Sequence, residues 1–384
     1  MEKKHDGIHG MVPRERMDKN AAKLRDVYAV TPGAPFVQRE FGFFTQERWE
    51  REGHPSDPES LARAGGFDPP GSFSLGGLGW CEAGFVPAFP ETVLEDRGAY
   101  ELVQDSAGRG VLCFKGRRSG FMPEYVTHPV TDMDSWIKNC KWRMNPQDPA
   151  RYAGFDEKMG EAAACAGKGL MIIANLVGGY MYLRSLIGPE GLLYMFYDNP
   201  ELIHDCMETW FRLADTVIAK YQRHVTVDEC FLAEDICYNH GALISPDMMR
   251  EFLFPYYKKL MDNIRERQLD PDRHLYFQVD TDGDCRGVMP LYINDLGMDV
   301  MSPFEQASDC DVVAIGKQYP NIAMFGGFDK RIMAQGKEAI DKEVNRIFPV
   351  MKKRGGYIPT CDHGVPEEVS YEDWVHFRKR CREF

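Results

Sequence analysis

The chain has 384 residues, 43% of them hydrophobic, which is enough to bury a large core within one domain. The formal net charge of −13 disfavours nucleic acid as a partner. No uninterrupted apolar run is long enough to predict a membrane span, and the N-terminal residues lack the apolar segment of a signal peptide. Eleven cysteines without a CxxC pair fit free thiols in a reducing compartment, so we expect a cytoplasmic protein.

The first 150 residues show little regular alternation of strands and helices. Residues 45–79 are rich in glycine, proline and charge, which predicts a long irregular segment. Residues 100–115 contain two β-type runs joined by the turn sequence SAGRG, which is typical of a β-hairpin. We therefore assign residues 1–150 to an N-terminal elaboration that includes a hairpin.

From residue 151 onward the pattern becomes regular. The apolar run LMIIANL at 170–176 predicts a buried strand, and Asn199-Pro200 is a typical start of a long amphipathic helix. Strands and helices then alternate to the C-terminus, which indicates parallel strands joined by crossover helices. The predicted fold class is α/β, a (β/α)8 TIM-type barrel forming a single domain over residues 1–384, with its main part at 151–384.

Several predicted strands end in ionisable residues. The stretch His274–Asp284 (HLYFQVDTDGD) ends in three carboxylates, and four other runs end in a carboxylate or a histidine: Glu234 with Asp235, Glu305, Asp329, and Asp362 with His363. The carboxyl ends of barrel strands converge on one mouth, so these side chains predict an acidic site there. The alternative at each position is that the residue caps the next helix or makes a turn.

Five phrases of this sequence resemble the uroporphyrinogen decarboxylase superfamily, in particular its branch of corrinoid-protein-dependent methyltransferases. They are LISPDMMREFLFPYYKKL at 243–260, VDTDGD at 279–284, GMDVMSPFE at 297–305, FGGFDKR at 325–331 and GGYIPTCDHGVP at 355–366. Together with weaker matches elsewhere, the resemblance covers roughly residues 120–384 and implies a distorted (β/α)8 barrel. Decarboxylases of the family hold an acidic tetrapyrrole with an arginine-rich N-terminal motif. This sequence has only Gln38-Arg39-Glu40 near that place, which counts against the same substrate.

The resemblance also implies a metal centre. Methyltransferases of this branch hold zinc with a His-x-Cys pair and a distant cysteine, and the matching places here carry Asp280-Thr281-Asp282 and Cys361-Asp362-His363. We therefore expect a zinc site with four candidate ligands: Asp280, Asp282, His363 and Cys361. Carboxylate, imidazole and thiolate groups all bind zinc. A harder divalent ion, or no metal, stays open.

The expected chemistry assigns roles to residues at the mouth. A methyl group leaves an oxygen more easily when a Lewis acid or a proton donor stabilises that oxygen. We expect Glu234, Asp282 and His363 to be catalytic, with Glu234 as a fourth ligand or a base. Five residues are expected to contact the substrate: Arg39, Tyr238, Asn239, Glu305 and Asp329.

The sequence thus predicts an enzyme, a corrinoid-protein-dependent methyltransferase or demethylase acting on a small methylated compound such as a methoxylated aromatic. The methyl-corrinoid would belong to a separate protein, because this chain has no recognisable cobalamin-binding motif. Two alternatives stay open: a metal-free decarboxylase acting on an unknown acid, and a non-catalytic binding barrel. The resemblance further implies a homodimer.

Overall fold

The computed structural model describes residues 14–116 and 123–384. Within them the β-strands, in chain order, are β1 (Ser72–Leu78), β2 (Thr92–Arg97), β3 (Tyr100–Gln104), β4 (Gly110–Phe114), β5 (Glu124–Thr127), β6 (Met171–Val177), β7 (Glu229–Ala233), β8 (Cys237–Tyr238), β9 (Gly241–Ala242), β10 (Tyr276–Asp280), β11 (Val300–Ser302), β12 (Ala323–Phe325) and β13 (Tyr357–Ile358).

The α-helices of the same residues are α1 (Lys19–Tyr28), α2 (Gln46–Arg51), α3 (Pro58–Gly65), α4 (Met133–Ser135), α5 (Phe155–Gly167), α6 (Gly179–Ile187), α7 (Pro189–Asp198), α8 (Pro200–Tyr221), α9 (Pro246–Phe252), α10 (Phe254–Glu266), α11 (Met289–Leu296), α12 (Val312–Gln318), α13 (Lys330–Met333), α14 (Lys337–Arg354) and α15 (Tyr371–Cys381). None of these helices combines the length and the apolar character needed to cross a bilayer.

Seven strands form one parallel sheet in the order β1-β6-β7-β10-β11-β12-β13. Helices connect the successive strands of this sheet from β6 onward, which is the α/β barrel architecture that the sequence predicted. The barrel is distorted, because no ladder joins β13 to β1 in the described chain. On that side an extended segment, residues 34–44, follows the sheet, and Phe43 forms a parallel bridge with Val365.

The barrel sheet begins within the stretch that the sequence assigned to the elaboration. Strand β1, SFSLGGL, pairs in parallel with β6, with an irregularity between Ser74 and Gly77. Of its side chains only Leu75 is buried. A glycine-rich strand without a continuous apolar run lacks the pattern by which a buried strand is recognised, so the periodicity at residues 72–78 did not reveal it.

The predicted hairpin is confirmed as β3 and β4, which pair from Tyr100 with Phe114 to Gln104 with Gly110. It is the centre of a four-stranded antiparallel sheet in the order β2-β3-β4-β5. This sheet packs beside the carboxyl ends of the barrel strands, so that its side chains contribute to the mouth.

Ion pairs hold the opposite end of the barrel together. Asp228 accepts hydrogen bonds from the guanidinium groups of Arg25 and Arg273 at 3.1 Å each, and His274 pairs with Asp299 at 3.0 Å. These side chains are buried or half-buried, so the contacts fix the start of the strands and leave the mouth as the place for chemistry.

Candidate active site

A cavity of about 440 Å³ lies at the carboxyl ends of β7 and β10. The barrel contributes ionisable groups to its wall, and the N-terminal elaboration contributes aromatic rings and a cation. The lining residues on which the site depends are Ala233, Asp235, Asp280, Asp282 and His363 from the barrel, and Phe41, Trp80, Arg109 and Tyr125 from the elaboration. A mostly apolar cavity with a few converging polar groups is the usual form of a small-molecule site.

Asp280 is the last residue of β10, and its side chain enters the cavity. The hydroxyl of Ser302 on the neighbouring strand donates a hydrogen bond to the carboxyl group of Asp280. Burial raises the pKa of Asp280 to about 7, the hydrogen bond from Ser302 lowers it, and the nearby charge of Asp282 raises it. A carboxyl group with this pKa carries a proton in a large fraction of molecules at neutral pH, so it can act as a proton donor.

His363 and Asp282 form an ion pair across the mouth, with 3.3 Å between Nε2 and Oδ2. The imidazole ring lies against two aromatic rings, with centroid distances of 5.6 Å to Phe41 and 5.3 Å to Phe44. The hydrogen bond with Asp282 raises the pKa of His363 above its ordinary value. The structure therefore brings together Asp280, Asp282 and His363, as the sequence predicted.

Asp235 and Arg184 line the same cavity. The sequence placed Asp235 at the mouth but gave it no catalytic, substrate-binding or metal role, and it did not identify Arg184. The guanidinium group of Arg184 donates to the carboxylate of Asp235 and contacts the sulfur of Met181 at 2.7 Å. Asp235 has a φ of +44°, a backbone conformation that residues other than glycine rarely adopt and that is found at functional sites. The acid at the end of β7 was visible in the sequence, whereas its arginine partner lies on α6 and gave no signal.

Glu234, predicted to be catalytic, points away from the cavity. Its side chain is fully buried and accepts hydrogen bonds from the hydroxyl of Tyr257 at 2.7 Å and from the backbone N–H of Tyr180 at 2.9 Å. Burial raises the pKa of Glu234 to about 7. The residue holds the first turn of α6 against α10, which is a structural position.

Arg39 lies deeper in the barrel than the mouth cavity. It lines a second cavity of about 580 Å³ together with Glu229 and Gln278. Its guanidinium group stacks over the ring of Phe325 at 4.2 Å. Trp80 lines both cavities and stacks on Phe231 with their rings nearly parallel, 5.4 Å apart, so this aromatic pair lies between the two spaces.

Four other residues expected to contact substrate lie outside the lining of the mouth cavity. Asp329 accepts from the backbone N–H of Arg331 and caps α13, so the capping alternative holds at this position. Glu305 accepts from Lys330 at 2.6 Å and from the backbone N–H of Gly283 at 2.9 Å. Tyr238 and Asn239 lie on the β8–β9 hairpin, where 46% of the surface of Tyr238 is exposed.

Three of the four predicted zinc ligands, Asp280, Asp282 and His363, line the same cavity, but the four do not form a metal-binding group. In the parts of the chain that the structure describes, no three His, Cys, Asp or Glu side chains are grouped closely enough to hold a metal ion. Cys361 is fully buried and lies outside the cavity lining; its backbone N–H donates to Glu40 at 2.7 Å, and burial raises its pKa well above the ordinary value. The donor groups as arranged therefore do not fit the predicted metal centre.

A parallel barrel with a buried, protonatable acid in an aromatic-lined cavity at its carboxyl end has the architecture of the TIM-barrel enzymes. Residues 127–384 match the model of the uroporphyrinogen decarboxylase (URO-D) family, and the chain belongs to that family. The family assignment made from the sequence phrases is therefore confirmed.

Curated relatives resemble part of the chain, and a solved structure shares its fold. The chain is 27% identical over 187 residues to uroporphyrinogen decarboxylase 2, chloroplastic, of Oryza sativa subsp. japonica, which is 48% of this chain and 43% of that protein. It is 27% identical over 256 residues to the chloroplastic uroporphyrinogen decarboxylase of Nicotiana tabacum, 60% of this chain and 61% of that protein. The chain thus spans about half of the length of the curated relatives that it matches. A methyltransferase from Methanosarcina mazei shares the fold with a TM-score of 0.53 and 13% identity, covering 95% of this chain and 98% of that one.

Proposed function

We propose that this protein is a methyltransferase that removes a methyl group from a small methylated compound, such as a methoxylated aromatic, and delivers it to a corrinoid carried by a separate protein. The observation that carries the proposal is the position of Asp280, a carboxyl group with a pKa of about 7 at the end of β10, in a cavity of about 440 Å³ walled by aromatic rings. Such a cavity suits a small aromatic molecule, and the acid suits an oxygen leaving group.

The chain contributes binding and proton transfer to this reaction. Trp80, Phe41 and Tyr125 provide apolar wall for the ring of the substrate. As the bond between the methyl carbon and the oxygen breaks, the electron pair stays on the oxygen, and Asp280 donates its proton there. The corrinoid, when bound, supplies the nucleophile that accepts the methyl group. The ion pair of Asp282 and His363 holds the rim through which that partner would approach.

The charges of the cavity argue against a tetrapyrrole with many carboxylates. Both arginines among the described lining residues are already paired with aspartates: Arg109 with Asp105 at 2.7 Å, and Arg184 with Asp235. Together with Asp280 and Asp282 they leave little positive charge for an acidic substrate. A neutral or weakly charged small molecule is the better match.

Decarboxylation of a smaller acid is the second candidate. It is supported by the names of the relatives at 26–28% identity, which are uroporphyrinogen decarboxylases. In that reaction the carbon–carbon bond to the carboxylate breaks, carbon dioxide leaves, and Asp280 would protonate the carbon that retains the electron pair.

One set of assays separates the two candidates. The protein is incubated with a panel of methoxylated aromatics and with reduced cobalamin as the methyl acceptor. The phenol formed by demethylation is quantified by mass spectrometry. Parallel incubations with aromatic and pyrrolic carboxylic acids measure released carbon dioxide. Phenol formation that depends on cobalamin supports methyl transfer. Carbon dioxide release without phenol formation overturns it in favour of the second candidate.

A further inference from the structure

Two cysteines on neighbouring loops of the barrel mouth lie in sulfur–sulfur contact. Cys285 lies in the segment between β10 and α11, and Cys310 lies in the segment between β11 and α12. Their Sγ atoms are 3.6 Å apart, and the residues are 1% and 0% exposed. A disulfide bond is about 2.05 Å long, so the two sulfurs need to approach each other by only about 1.5 Å to be joined.

The surroundings favour a reaction between these two thiols. The sulfur of Cys310 also contacts the carbonyl oxygens of Gly283 at 3.5 Å and Ser308 at 3.6 Å, which fix its position. The hydrogen bond between the two sulfurs raises the pKa of Cys285 and lowers that of Cys310, and the guanidinium group of Arg286 favours the Cys310 thiolate as well. Cys310 is therefore the thiol of the pair that ionises more readily.

We propose that Cys285 and Cys310 form a redox-modification site, a dithiol that hydrogen peroxide converts into an intramolecular disulfide. The Cys310 thiolate attacks one peroxide oxygen, the O–O bond breaks, and the sulfur becomes a sulfenic acid while hydroxide leaves and takes a proton to form water. Cys285 then attacks that sulfur, the S–S bond forms, and the S–O bond breaks with release of a second water. Two thiols and one peroxide thus give one disulfide and two waters.

The disulfide would join the loop after β10, which contributes Asp282 to the cavity wall, to the loop after β11. One loop carries Asp282, and the other carries Glu305, which already accepts a hydrogen bond from the backbone of Gly283. Gly283 has a φ of +76°, and a Cβ atom there would lie 2.5 Å from the carbonyl oxygen of Tyr238. Because the loop is packed this closely at Gly283, a bond at Cys285 would stiffen the rim beside Asp282. This modification does not depend on which reaction the barrel catalyses.

The test uses the full wild-type chain, with hydrogen peroxide at one to ten equivalents followed by alkylation. Free thiols are counted, and non-reduced peptides are mapped by mass spectrometry. We expect two of the eleven thiols to be lost. The intact mass should fall by about 2 Da, and a linked Cys285–Cys310 peptide should disappear with dithiothreitol. The urea midpoint of the oxidised protein should rise, because the bond constrains the unfolded chain.

Three variants provide the controls. Cys285→Ala and Cys310→Ala should each prevent loss of the thiol pair, and either is informative if the other does not fold. Cys230→Ala removes an equally buried cysteine on β7 and should leave the linked peptide unchanged. Sulfinic or sulfonic acid at Cys285 or Cys310 without a linked peptide would overturn the proposal, and so would a link from either to another cysteine. Retention of all eleven thiols, while the same peroxide oxidises glutathione in a separate tube, would also overturn it.

Discussion

The hydroxyl of Ser302 donates a hydrogen bond to the carboxyl group of Asp280 across neighbouring strands of the barrel. The side-chain amide of Gln278 donates in turn to Ser302 at 3.0 Å, and Gln278 accepts from Tyr28 on α1 at 3.3 Å. The hydroxyl of Tyr28 also donates to Glu229 at 2.6 Å. A line of side-chain hydrogen bonds therefore crosses the barrel interior and fixes the acid on which the proposed chemistry depends.

Replacement of this acid is the most direct test of the site. Asp280→Asn keeps the size of the side chain and removes the transferable proton, so kcat should fall by about 10²- to 10⁴-fold. Steady-state kinetics on the substrate found by the assays above give the result. Asp309→Asn is the matched control, since Asp309 is 84% exposed outside the cavity and its φ of +60° suits asparagine. Unchanged kcat in Asp280→Asn would exclude Asp280 as the proton donor.

The pH dependence of the reaction rate should depend on the hydrogen bond between Ser302 and Asp280. A proton donor is active when protonated, so the rate should decline as the pH rises through about 7, the pKa of Asp280. Ser302→Ala removes a hydrogen bond that favours the ionised form, so the pKa rises and the decline moves to higher pH. Ser302→Thr retains the hydroxyl and should keep the wild-type profile. A profile of Ser302→Ala that moves to lower pH would contradict this account.

Glu229 should make the protein less stable as the pH rises. Burial raises its pKa from an ordinary 4.5 to about 7. The folded state therefore holds this proton more tightly, and the free energy of unfolding falls between those two values and then levels off. The difference of about 2.5 units corresponds to at most about 3 kcal/mol.

Glu229→Gln cannot ionise but still accepts from Tyr28, so its stability relative to wild type should increase from pH 5 to pH 8 in urea unfolding. Glu59→Gln, at a side chain that is 86% exposed, should show no such trend. A constant difference between Glu229→Gln and wild type across this range would show that Glu229 ionises normally in the folded protein.

The ion pair at the rim should be visible in the titration of His363. Asp282→Asn removes the hydrogen bond and the charge that raise the pKa of His363, so that pKa should fall toward its ordinary value. The imidazole resonances are followed by nuclear magnetic resonance from pH 5 to pH 9. The resonance that is missing from the spectrum of His363→Ala is assigned to His363. Asp309→Asn should leave the titration unchanged, and an equal shift in both variants would indicate a general charge effect.

The zinc prediction can be tested without an activity assay. In the described residues the predicted ligands are not grouped closely enough to hold a metal ion. After incubation with zinc and removal of the excess, we therefore expect much less than one zinc per chain by inductively coupled plasma mass spectrometry. About one zinc per chain in the wild type, lost in the double variant Asp282→Ala, His363→Ala, would reinstate the predicted centre. Asp309→Asn serves as the control for non-specific binding.

Much of this barrel could be predicted from the sequence. Alternation of apolar runs and amphipathic helices indicated parallel strands, and the carboxyl ends of parallel strands meet at one mouth, so Asp280, Asp282 and His363 could be placed together. Strand β1 was missed, because a strand with two adjacent glycines and one buried side chain carries no periodic signal. The hairpin was recognised from its turn, but its position beside the mouth depends on packing between distant segments.

The end of β7 shows where the sequence stops being sufficient. Glu234 and Asp235 are adjacent acids after an apolar run; both were predicted at the mouth, and the catalytic role was assigned to Glu234. Both residues follow β7, which ends at Ala233, and the backbone turns at Asp235, where φ is +44°, so the alternation of strand side chains does not decide which acid enters the cavity. The sequence by itself determined that an acid would be present at this strand end. Only the tertiary structure decided that Asp235 faces the cavity, because the packing of α10 brings the hydroxyl of Tyr257 to the carboxylate of Glu234.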